Sequence, residues 1–234
     1  ALSGSDEDDF DRLYYARLAE KDSALEPTYY QDFSLIACVS PADASHISSQ
    51  TNVPVVVSPI GIDMEWLNAS KEKAEIANGQ IVFIGSRHLT NHLAVEFMIN
   101  QVMPLVRVRC PDIRFIVVGS VGEYYRGKQL PEYVTVTGKV KDVRPYQNVA
   151  AIAVSPLMLT SGSSTKVLEQ LAAGKAVVVS RQIAKGLPEG FIAGKTLLVA
   201  DNDAPQTYAD IIVGLLQDER RRQELGEEAQ RYVY

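Results

Sequence analysis

Cysteine is scarce in this chain: Cys38 and Cys110 are its only two, far apart in sequence and without CxxC spacing. That excludes a disulfide framework and a thiolate zinc cluster, and it suits buried, inert thiols in a reducing cytoplasm. Basic charge is also short, because 23 Lys and Arg face 29 Asp and Glu for a net charge of −6. The acidic residues crowd into SDEDDFD near the start and DERRRQELGEE near the end. No basic face able to hold a polyanion follows, so nucleic acid is not expected as a partner. Long hydrophobic runs are missing too. The longest, in RFIVVGS and AVVVS, have strand length, far below the roughly 20 residues of a membrane span. ALSGSDEDDF has neither the basic start nor the apolar core of a signal peptide. It also lacks an initiating Met, so a fragment or a processed form is expected.

What is present is a core: 46% of the 234 residues are hydrophobic, enough for one large or two ordinary domains. Residues 1 to 31 read as an acidic helix stopped at Pro27. DFSLIACVS reads as a strand, SPADASHISSQ as a helix capped by Ser40 with Pro41 in its first turn, and VPVVVSPIGID as a second strand. A second series follows: strand IVFIGS, helix HLAVEFMINQVMPLVRVRC, strand RFIVVGS, a Gly/Tyr-rich loop, strand VTVTGKV, a short helix at DVRPYQNV and strand AIAVSPL. The segment SGSSTKVLEQLAAG then forms a loop and helix, KAVVVS and TLLVA two more strands, and PQTYADIIVGLLQDERRRQELGEEAQRYV one long final helix. Continuously apolar strands separated by helices predict parallel strands covered on both faces, a doubly wound, Rossmann-like α/β domain. The expected division is 1–60, a linker at 61–78, and 79–234.

The loop at residues 160 to 165 joins the carboxyl end of a strand to the start of a helix, where open α/β sheets bind ligands. Gly162 lets backbone approach a ligand closely. Ser163, Ser164 and Thr165 add hydroxyls, and the first helical turn carries about half a positive charge in effect. Lys166 places a cation where the helix end alone would prefer an anion, and Glu169 lies one turn further on the same face. Two readings fit: a phosphate seat with a carboxylate for ribose hydroxyls, or an ordinary Ser/Thr cap with a surface Lys166–Glu169 pair. Val167, Leu168, Leu171 and Ala172 form the inward stripe, and Gly174 stops the helix.

Other motifs weigh less. GEYYRGK at 122 to 128 has P-loop spacing, but Gln129 stands where the metal-binding hydroxyl belongs and Pro131 opposes a following helix, so a mobile surface loop is expected. The Asp-Glu-Asp at 6 to 8 reads as a solvated acidic terminus rather than a metal site. His88 and His92, spaced i,i+4, lack a third zinc ligand and read as surface residues at a helix start, with His88 a minor candidate for ligand contact. Arg87 directly follows strand IVFIGS, where its fork could clamp a diphosphate. It reads equally well as a solvent-facing loop arginine.

Taken together, IVFIGSRHLTNHLAVEFMINQVMPLVRVRCPDIRFIVVGS, VTVTGKVKDVRPYQNVAAIAVSPL, SGSSTKVLEQLAAGKAVVVS, GLPEGFIAGKTLLVAD and LLQDERRRQELGEEAQRYV resemble the C-terminal half of a GT-B glycosyltransferase of the retaining, family-four type. The chain is most similar to bacterial group 1 sugar transferases of polysaccharide pathways. The resemblance runs from about residue 55 to the end, and the residues before it resemble the tail of the family's N-terminal, acceptor-side domain. It implies that 79–234 binds a nucleotide-sugar donor. Glu169 matches the second glutamate of the family's E-x7-E motif and would hold the ribose; the first falls on Ser161. Gly162, Ser163, Ser164 and Thr165 would lie under the diphosphate, Arg87 and Lys166 would neutralise it, Gly85 and Ser86 would contact the donor, and the backbone of Gly138, Lys139 and Val140 would hold the base.

The implied activity is metal-independent transfer of a sugar from a nucleotide diphosphate sugar, with retention, to a glycan or lipid-linked acceptor, without a resident cofactor. The resemblance leaves room for peripheral membrane association of the complete protein. A non-catalytic nucleotide- or glycan-binding module stands as the alternative, on the strength of Ser161. A UDP-sugar epimerase of GT-B type ranks below both.

Overall fold

The computed structural model describes residues 25–69, 76–157, 164–188, 190–201 and 203–233. The acidic residues 6 to 8, most of the expected N-terminal helix, and Ser161, Gly162 and Ser163 lie outside them. Residues 25–30 are helical, so the helix passes through Pro27. The chain divides into two units, Ala1–Pro59 and Ile60–Tyr234.

In the first unit, β1 (Ile36–Cys38) and β2 (Val55–Val57) pair in parallel, with Ile36 opposite Val55. The crossover between them carries α1 (Pro41–Ser48), whose start is set as the sequence predicts: Ser40 Oγ accepts the Asp43 amide at 3.1 Å and Pro41 fixes the first turn. Phe33, Leu35, Val56 and Val57 are exposed.

The second unit opens with α2 (Met64–Asn68). Of the segment expected as a linker, 61–78, residues 61–69 and 76–78 are described; Leu67 is buried, and Ile62, like Ile60 just before it, packs against the hydrophobic core. Trp66 and Ile76, in the same segment, are exposed. Six strands follow, all parallel: β3 (Ala77–Ile84), β4 (Arg114–Val118), β5 (Val134–Val136), β6 (Ala150–Ser155), β7 (Ala176–Ser180) and β8 (Leu198–Ala200). Every residue of β6 and β7 is buried, as strands covered on both faces require.

Between the strands run α3 (Leu89–Phe97), α4 (Met103–Arg109), α5 (Arg144–Val149), α6 (Thr165–Ala172), α7 (Arg181–Lys185), α8 (Pro205–Gln217) and α9 (Glu219–Val233). A π turn at Met98–Val102 joins α3 to α4. Pro104, which has no N–H for the carbonyl one turn back, lies just beyond it in the first turn of α4. The single final helix expected from the sequence is two helices. Asp218 leaves helical geometry at φ −124°, and its carboxylate caps the next helix by accepting the Arg221 amide at 2.8 Å. Among the described residues, no helix is long and apolar enough to cross a membrane.

The strand order is β5-β4-β3-β6-β7-β8. The chain therefore builds outward from β3 in one direction, returns to the centre, and builds outward from β6 in the other. Between β3 and β6 the connections leave on opposite sides, and a crevice must open at the carboxyl ends of those two strands.

Candidate functional site

At that crevice lies a cleft of about 370 Å³. Ile84, Gly85 and Ser86 line it from the end of β3, Thr90 and Asn91 from α3, Leu157 from beyond β6, and Ser164, Thr165 and Lys166 from the start of α6. The wall on the β3 side is glycine-built. Gly119 has φ +105°, and a Cβ there would stand 2.3 Å from the Gly85 carbonyl oxygen. The Gly119 amide donates to the Gly138 carbonyl at 3.1 Å, and the Gly85 amide donates to the Val118 carbonyl at 2.9 Å. Gly138 is left-handed, at φ +68°. These bonds tie the ends of β3, β4 and β5 together edge to edge.

On the opposite wall, α6 buries Val167, Leu168, Leu171 and Ala172, the stripe read from the sequence, and Gly174 follows it at φ +76°. This stripe fixes the helix so that its first turn meets the cleft. Ser164 occupies the cap position but makes no side-chain capping bond. The ordinary-cap reading of the loop is therefore not realised at Ser164, and among the described residues no side chain caps the first-turn amides.

Nor does Lys166 form the surface pair with Glu169: no such ion pair exists among the described residues. Its ammonium donates to Asn91 Oδ1 at 2.7 Å and sits 4.7 Å from the centre of the Phe83 ring. Burial pushes its pKa down to about 8. Glu169 is half-buried, and burial raises its carboxyl above the usual range. Its backbone carbonyl accepts from Gln147 Nε2 at 3.4 Å.

Of the residues the sequence singled out, the cleft gathers Gly85, Ser86, Ser164, Thr165 and Lys166. Arg87, Gly138, Lys139, Val140 and Glu169 stand outside its lining. The Arg87 guanidinium lies 3.8 Å from Glu123 and 5.7 Å from the centre of the Tyr124 ring, and its backbone amide donates to Ser120 Oγ at 2.9 Å. Gly162 and Ser163 lie outside the described residues. The GEYYRGK segment is not a surface loop in its first half: Ser120–Tyr125 is a 3-10 helix with Val121, Gly122 and Tyr125 buried. Tyr124 stacks on His92 with ring centres 4.4 Å apart, so His92 is not a plain surface histidine either. His88 caps α3. Among the described residues, no group of three or more His, Cys, Asp or Glu could hold a metal ion.

Sequence reasoning missed Asn91. The signal was there, since an asparagine stands on the same helical face as Ala94, Val95 and Met98, all buried. A polar residue on an apolar stripe must find a partner inside.

The profile of the family described as "Glycosyl transferases group 1" matches residues 78–218. None of the curated proteins matches the chain. Among solved structures, TarM superposes with a TM-score of 0.75 at 15% identity, covering 91% of this chain and 42% of TarM. Sucrose-phosphate synthase from Thermosynechococcus elongatus gives 0.70 at 18% identity, over 92% of this chain and 57% of that one. Anabaena HepE in complex with UDP and glucose gives 0.66 at 17%, over 86% and 58%. The chain thus spans between 42% and 58% of these proteins. At such identities the likeness shows the fold, a GT-B architecture. With a family profile covering more than half of its length, the chain belongs to the group 1 glycosyltransferases.

Proposed function

We propose that this chain is the donor-binding part of a retaining glycosyltransferase, which takes a sugar from a nucleotide diphosphate sugar and passes it to a glycan or lipid-linked acceptor. The observation that carries the proposal is the corner where α6 meets β3: a helix start whose Ser164 side chain makes no capping bond and an ammonium bonded to Asn91 rather than to Glu169 meet in a cleft at the sheet's reversal point. Breaking a glycosyl–phosphate bond leaves the electron pair on a nucleoside diphosphate. The growing charge needs fixed dipoles and cations, in a site where they reorganise little. The α6 amides and Lys166 supply both, and Arg87, released from Glu123, adds a bidentate fork. Glu169 accepts the ribose hydroxyls, and the backbone at Gly138 to Val140 takes the base. Neutralisation by these groups without a metal is part of the proposal. UDP complexes of the structural neighbours HepE and TarM support the choice of ligand class.

The experiment is calorimetry of the chain with UDP and GDP in EDTA, repeated with Glu169→Ala. Micromolar to millimolar binding of one diphosphate, unaffected by added magnesium and weakened about tenfold or more by the substitution, is expected. Absence of binding to both would overturn the reading for this chain.

A further inference from the structure

We propose that Asn91 is the positioning residue of the site: it holds the Lys166 ammonium at the cleft through a neutral tether, leaving the full positive charge for the ligand's phosphates. This inference rests on the donor-site reading above. Asn91 is 7% exposed, so both ends of its amide need partners. Its Nδ2 donates to the Ser86 carbonyl at 3.0 Å, and its Oδ1 accepts from Lys166 at 2.7 Å. Chemistry fixes this orientation. A flipped amide would put an NH2 group against an ammonium and an oxygen against a carbonyl.

Room for the tether comes from Gly85. A Cβ there would stand 3.1 Å from Asn91 Cγ and 2.7 Å from Phe83 Cε1. The ammonium is therefore held between an amide oxygen and a ring face, neither carrying net charge. Of its three N–H donors the tether takes one. Burial is the cause of its lowered pKa. Arg87, by contrast, has its charge partly offset by Glu123. An aspartate at position 91 would keep the shape of the tether and cancel the charge.

The test compares UDP, by calorimetry, with uridine, by NMR line shifts, in wild type, Asn91→Asp, Asn91→Leu, Lys166→Met and the Asn91→Leu/Lys166→Met double variant at neutral pH. Asn91→Asp and Lys166→Met are each expected to weaken UDP by about tenfold or more while leaving uridine unchanged. Asn91→Leu is expected to weaken UDP in wild type and to cost nothing further once Lys166 is gone. Parallel loss of UDP and uridine would mean a merely structural asparagine and overturn the proposal, as would wild-type UDP binding in Asn91→Asp.

A second readout needs no nucleotide. The Lys166 ammonium, followed by NMR, is expected to titrate near pH 8 in wild type and clearly higher in Asn91→Asp. If wild type failed to prefer UDP over uridine, the donor-site reading would fall and this titration would still decide the tether. An unmoved midpoint overturns it.

Discussion

Burial sets Lys166 to about 8 in the folded chain, against an ordinary 10.5. Below about pH 8 the group is charged in both states, and the fold carries the full cost of holding a poorly hydrated ammonium. Between about pH 8 and 10.5 the unfolded chain binds more protons than the folded one, so this group's contribution to stability rises with pH across that window. Urea unfolding at about pH 8 and about pH 10 should therefore show a gain in wild type that Lys166→Met lacks, on the order of 1–2 kcal/mol. Equal pH dependence in the two proteins would mean that the ammonium is better solvated than its burial implies. Binding of a diphosphate should move in the opposite sense, weakening above about pH 8 as the cation is lost. Near neutral pH the fold thus carries a charge at a cost in stability.

At the scale of elements, the packing of α9 on the end of α6 turns on one hydrogen atom. Gly226 lies within α9, where alanine would ordinarily stabilise by up to about 1 kcal/mol through helix propensity. Here a Cβ would stand 2.1 Å from the Gly174 carbonyl oxygen, backbone against backbone. Gly226→Ala should lower the melting temperature, with a loss of about 2–4 kcal/mol, and a rise would show that α9 can shift without cost.

Elements of this kind divide cleanly into those legible in sequence and those not. β6 and β7 were legible because continuous runs of Val, Ile and Ala bounded by Ser and Gly leave few alternatives, and α6 because its stripe repeats at helical spacing. The break at Asp218 was hidden, since every flanking residue favours helix and only the capping bond to Arg221 reveals it. The 3-10 helix at Ser120–Tyr125 stacks its Tyr124 on His92, some thirty residues earlier, a contact that local spacing does not encode. Within the site, the helix start and Lys166 were legible as chemistry. The partner of Lys166 was not, because Asn91 looks like any helix-surface asparagine until the sheet places it beside β3.

The chain divides into two unequal units. The hydrophobic core of the second runs from β3 to α9, with Ile60 and Ile62 packed against it. Residues 60–234 expressed alone should therefore unfold in urea as one sharp cooperative transition, seen at the same midpoint by circular dichroism and by fluorescence of Trp66. Broad or non-coincident transitions would show that the first unit supplies part of the core.

The strand order also dictates a history. Every pairing in the six-stranded sheet is parallel, so no hairpin can form early as a local seed. The central pair is the most delayed of the contacts β3 makes with its neighbours: Ile81 meets Ile152, whereas it meets Phe115 on the other side. On the ribosome, one edge of β3 must wait unpaired, its Ile-Val-Phe run exposed, until β6 has been synthesised and has emerged. The β3–β6 seam cannot close before then, and a nascent chain stalled short of it offers a sticky edge to its neighbours.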